Sequence, residues 1–91
     1  MNYYYIDKQS RPIPLTHATE TGGTLHFDLP ANVTLSETMT FLTDTGMEIR
    51  AVFPAEFCAA AMPGSRVTGL VLERLTRPDA EQISEFLKNR R

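Results

Sequence analysis

The sequence predicts a mainly β fold that ends in one amphipathic helix. Three observations carry this: apolar and polar residues alternate in several short runs, turn signals separate those runs, and only residues 77–89 place apolar side chains at helical spacing.

The first expected strand, residues 2–7, is the β-prone run Tyr3, Tyr4, Tyr5 and Ile6, closed by the polar stretch 7–10. Successive side chains in a strand point to opposite faces, so Tyr4 should differ in exposure from Tyr3 and Tyr5. The second, residues 14–20, follows Pro12 and Pro14, which cannot donate to a ladder and push the segment toward an edge. Gly22 and Gly23 break the chain. Residues 24–29 then alternate, with Leu25, Phe27 and Leu29 on one face and Thr24, His26 and Asp28 facing solvent.

Residues 30–37 read as a loop. A fourth strand over 37–44 and a fifth over 47–58 flank the tight-turn signal Asp44-Thr45-Gly46, which makes them a hairpin. The fifth is expected to bend at Pro54 and continue, because Pro63-Gly64 cuts short any helix in the alanine tract 59–61. A sixth strand, residues 65–75, is apolar on both faces through Val67, Leu70, Val71 and Leu72, which predicts a central, well-buried position. The helix opens with a capping-box-like pair, Thr76 and Asp79, and Pro78 in the first turn. Ala80, Ile83, Phe86 and Leu87 form its apolar face, set to lie against the sheet or close one end of a barrel.

With 91 residues the chain forms one domain, residues 1–91, and its 42% apolar and 22% charged content is that of an ordinary globular protein. A net charge of -2, with the basic residues clustered only at 88–91, argues against the broad basic face that a nucleic-acid polymer requires. The basic group Lys88, Arg90 and Arg91 instead complements the negative pole of a helix C-terminus. The single Cys58 forms no intrachain disulfide, and Asp7, Lys8, Arg11, Pro12 and Pro14 stand where a signal peptide would need an apolar run. A cytoplasmic protein without membrane insertion is expected.

Little in the sequence supports catalysis. His17, His26 and Cys58 lie too far apart in sequence for a metal-ligand pattern, so no metal is expected. Cys58 sits between Phe57 and Ala59, reading as a small buried hydrophobe rather than an activated thiol. Asp44, Glu48 and Glu56 fall at turn or solvent-facing positions, and Gly22-Gly23 lacks the following helix of a phosphate loop. The chain is therefore expected to bind rather than to catalyse.

Three stretches resemble the PilZ domain family. Residues 17–22, His-Ala-Thr-Glu-Thr-Gly, match the spacing of its [D/N]-x-S-x-x-G motif; residues 66–72 resemble its late strand, and residues 77–91 its terminal helix. The resemblance implies a small six-stranded antiparallel β-barrel of the split-barrel type with a C-terminal helix. It also implies, for many members, a receptor for cyclic di-GMP. This sequence departs from the receptor pattern: in place of R-x-x-x-R it has Lys8 and Arg11, with Pro12 where a second arginine would follow Lys8. The acidic and serine positions of the second motif are His17 and Thr19. Arginine's planar fork engages phosphate and guanine bidentately, so both halves of the site are weakened.

The expected function is accordingly a PilZ-like adaptor in cyclic-di-GMP signalling or type IV pilus and motility regulation, acting through a protein partner and without a cofactor. One alternative is a weak cyclic-di-GMP receptor using Lys8, Arg11, His17, Thr19 and Gly22. The other is a structural or inhibitory barrel without a signalling role, with an exposed tyrosine of the 3–5 run as its interface anchor.

Overall fold

A computed structural model describes residues 2–89. It contains seven strands and two helices: β1 (Tyr3–Ile6), β2 (Pro12–Pro14), β3 (Thr16–Thr21), β4 (Thr24–Asp28), β5 (Thr38–Thr43), β6 (Met47–Val52), α1 (Ala55–Ala60), β7 (Arg66–Thr76) and α2 (Ala80–Asn89). The strands form one antiparallel sheet in the order β2-β1-β5-β6-β7-β4-β3, curled into a nearly closed barrel. The mainly β architecture with its C-terminal helix is as expected.

The seventh strand is β2, which lies ahead of the expected second strand of residues 14–20 and shares only Pro14 with it; that expected strand is β3. β2 pairs with β1, β3 pairs with β4, and the chain bends between them at Leu15. Neither Pro12 nor Pro14 has an N–H to donate, and His17 adopts φ 52° within an irregular register between Thr16 and Thr19. The two pieces together close the barrel. Leu15 N–H donates to Tyr3 O at 2.9 Å, and the Tyr3 hydroxyl donates to Glu20 Oε1 at 2.8 Å.

Directly paired residues point to the same side of a sheet, so register separates interior from exterior. Leu25, Phe27, Met39, Phe41, Ile49, Ala51 and Val67 point inward, joined by Phe53 and by Val33 and Leu35 from the loop before β5. Phe27, Phe41 and Phe53 meet edge to face with centroids 5.5 to 6.4 Å apart. Tyr3 is buried; Tyr4 and Tyr5 are both half-buried, Tyr5 with its ring against Phe41.

Three further expectations are corrected. The fifth strand stops at Val52 rather than running to residue 58, because the Pro54 carbonyl accepts from both Phe57 and Cys58 N–H and starts α1, whose Cys58 packs on the core. β7 is central and long, as expected, but not buried on both faces: Leu70, Leu72 and Leu75 are about half exposed. Helix α2 begins at Ala80 rather than residue 77, and Asp79 turns its carboxylate to Arg77 instead of completing a capping box with Thr76.

The helix lies against the outer side of the sheet. Ser84 donates to Asp44 O at 2.8 Å, and Ile83 and Phe86 share a cleft with the outward residues Ile6 and Leu42. Lys88 stands in its last turn, while Arg90 and Arg91 lie outside the described residues.

Candidate binding surface

Lys8 and Arg11 occupy the turn between β1 and β2, where Asp7 organises the loop. Its Oδ1 accepts from the N–H groups of Gln9 (3.0 Å) and Arg11 (2.8 Å), and its Oδ2 accepts from Arg11 Nε at 2.9 Å. The backbone N–H of Arg11, with the guanidinium beside it, holds the Asp7 carboxyl below the ordinary carboxylate range. Arg11 is thus paired within its own turn, with Nη2 also donating to Gln9 Oε1 at 3.3 Å. Lys8 and Arg11 line a cleft with Tyr5, Asp7, Gln9, Ile13, Asn32 and Thr34; His17, Thr19 and Gly22 do not line it.

His17 belongs to a different cluster. Its Nδ1 lies 2.7 Å from Asp28 Oδ2, and Arg66 Nη1 donates to His17 O at 2.7 Å and to Asp28 Oδ1 at 3.2 Å. The bond to His17, then that to Arg66, lowers the Asp28 carboxyl. Thr19 stands opposite His26, one residue pair further along β3 and β4, and Gly22 forms the turn that ends β3. Lys8 and Arg11 in the β1–β2 turn are therefore separate from His17, Thr19 and Gly22, which are spread along β3 and its end rather than gathered into one site.

His26, expected in solvent, is half-buried: Nε2 lies 2.8 Å from Thr24 Oγ1 and Nδ1 3.0 Å from Thr68 Oγ1. Glu48 is likewise engaged, accepting from Arg77 Nη1 at 2.7 Å. Cys58 is half-buried with its sulfur 3.8 Å from Phe53 O, and burial, reinforced by the charge of Glu37, pushes its thiol up. Among the described residues no three His, Cys, Asp or Glu side chains converge as metal ligands would. None of the described helices is long and apolar enough to cross a membrane.

What the sequence reading missed is an apolar outer surface. Val52 and Leu70 are paired, so they share the exterior face, and Leu72 and Leu75 extend it along β7. The irregular register between β6 and β7 leaves Leu72 without a partner on β6. Phe57 on α1 and Met62 after it are 51% and 68% exposed, more than core residues of a barrel would be. The signal was present in the sequence as a strand apolar on both faces, which fits a buried strand and a sticky exterior equally well.

No family model, curated protein or solved structure matches the chain.

Proposed function

We propose that the chain is a protein-binding β-barrel of the PilZ kind, an adaptor in cytoplasmic cyclic-di-GMP-linked signalling or pilus and motility control whose nucleotide site is out of use. The observation that carries the reading is the exposed apolar row Leu70, Leu72 and Leu75 on the central strand, with Phe57 and Met62 beyond its start. Large apolar side chains held outward on a rigid sheet gain free energy when a partner covers them. The separation of Lys8 and Arg11 from His17, Thr19 and Gly22, and the pairing of Arg11 with Asp7, support the loss of dinucleotide recognition.

The test is cross-linking in native extract of the wild-type chain, L70K/L72K and R11E. A partner retained by R11E and lost by L70K/L72K supports the adaptor. A partner set unchanged by L70K/L72K counts against it.

A further inference from the structure

His26 stands on the outer face of β4, between Thr19 of β3 and Thr68 of β7, and both its ring nitrogens are engaged. Nε2 lies 2.8 Å from Thr24 Oγ1, and Nδ1 lies 3.0 Å from Thr68 Oγ1. Both partners are hydroxyls, which donate and accept alike, so these two distances leave the direction of each bond open. A third contact closes it. Thr24 Oγ1 lies 2.6 Å from the carbonyl oxygen of Thr21 across the β3–β4 turn. A carbonyl carries no hydrogen, so the hydroxyl hydrogen of Thr24 sits in that bond, and Thr24 has only lone pairs to offer His26.

The hydrogen between His26 and Thr24 therefore belongs to Nε2. In the neutral ring the other nitrogen is then bare, and the Thr68 hydroxyl donates to Nδ1. The bonds run one way, from Thr68 through His26 and Thr24 to the Thr21 carbonyl. Thr68 directs its hydrogen to the ring and turns only lone pairs outward, on the same face of β7 as Leu70 and beside the groove that it lines with Phe57, Ala60 and Ala61.

We propose that His26 and Thr68 form a proton-operated switch on this outer face. Histidine is the side chain whose charge ordinarily changes between about pH 5 and 8. With Nε2 already protonated, a proton from solvent goes to Nδ1, which becomes a donor to Thr68 Oγ1. The Thr68 hydroxyl hydrogen must then swing outward. The contacts among Thr21, Thr24, His26 and Thr68 all survive, so proton uptake needs no movement of strand or ring. What changes is the surface: Thr68 presents an acceptor while the ring is neutral, and a donor beside a positive charge once it is protonated. A partner carbonyl or carboxylate against Thr68 is favoured in acid. The switch goes beyond the adaptor reading and does not need it.

The charged groups on the same face lie further along β4 and are tied to one another. Asp28 bonds to His17 of β3 and to Arg66 of β7, and none of the three bonds to His26. Glu20, next to Thr19 on β3, points to the interior, where its carboxylate meets Tyr3 and Arg74. The side chains facing the ring from β3 and β7, Thr19 and Thr68, are uncharged.

The test is an NMR titration of the isotope-labelled full chain that reads the imidazole nitrogens of His26 and the hydroxyl proton of Thr68. At about pH 8 the neutral ring should carry its hydrogen on Nε2, with the Thr68 hydroxyl proton coupled to Nδ1 and protected from exchange. At about pH 5 Nδ1 should be protonated and the Thr68 hydroxyl proton lost to exchange, while the ring keeps its contacts to Thr24 and Thr68. T24V removes the lock and should give a mixture of both neutral tautomers, whereas H17Q should leave His26 as it is in the wild type. A neutral ring with its hydrogen on Nδ1 overturns the proposal, as does an unchanged tautomer in T24V. A ring that stays neutral down to about pH 5, or leaves Thr68 on protonation, also overturns it, and so does a Thr68 hydroxyl equally protected at both ends of the titration.

Discussion

The Tyr3 hydroxyl reaches Glu20 Oε1 at 2.8 Å and so joins β1 to β3 at the seam, where the ladder of the barrel is interrupted. Glu20 is held in turn by an ion pair with Arg74, which the irregular register of β7 turns to the same side as the buried Ile49. Tyr3→Phe removes the seam bond and leaves the Glu20 carboxylate with one partner fewer. It should lower stability by about 1–2 kcal/mol, read as a lower urea midpoint at unchanged slope. An unchanged midpoint would mean that the Leu15–Tyr3 backbone bond alone holds the seam.

Gly69 lies under the Phe53 ring, and a Cβ added there would sit 2.5 Å from Phe53 Cε2. Gly69→Ala should cost about 1–3 kcal/mol through overpacking, and the smaller side chain of Phe53→Leu should restore part of that loss in the double variant. Additive losses in a double-mutant cycle would show that the two residues do not press on each other.

Asp28 bonds to His17 and Arg66 with its carboxyl lowered, so the folded state holds this proton less tightly than the unfolded chain does. Its contribution is full above the unfolded value and is lost as pH falls through the lower folded value, within the acid range below about pH 4. Asp28→Asn should therefore flatten the acid limb of the stability profile between pH 5 and 2. Denaturation midpoints measured across that range check it; a limb as steep as that of the wild type contradicts it.

Cys58 should react slowly. Burial and the nearby charge of Glu37 keep its thiol protonated, and thiolate is the attacking species. Ellman's reagent at pH 7.5 should modify the folded chain roughly threefold or more slower than the chain unfolded in guanidinium. Equal rates would place the thiol in free solvent.

Much of the barrel was legible in the sequence, and the exceptions have physical causes. Residues 24–29 alternate because one face meets the core and the other meets water, so Leu25, Phe27 and Leu29 identified themselves. The same logic misread β7, where Leu70 and Leu72 put apolar side chains on the outer face. Alternation also appeared to pass through Pro54 to Phe57, whereas tertiary packing of Cys58 and Ala61 favours a short helix that local propensity alone would not sustain. At the expected site, the Asp7–Arg11 pair was readable as acid and base four residues apart. The His17–Asp28–Arg66 cluster joins residues 11 to 49 positions apart and needs the folded sheet to exist.

Calorimetric titration of the purified chain with cyclic di-GMP bears most directly on the claim that the barrel is kept while dinucleotide recognition is gone. With Arg11 held by Asp7, and with His17 bound to Asp28 elsewhere, no saturable heat is expected up to about 100 μM dinucleotide, well above the micromolar range of a working receptor. A one-site or two-site isotherm at micromolar affinity or tighter, abolished by R11D in a chain that stays folded, would contradict it.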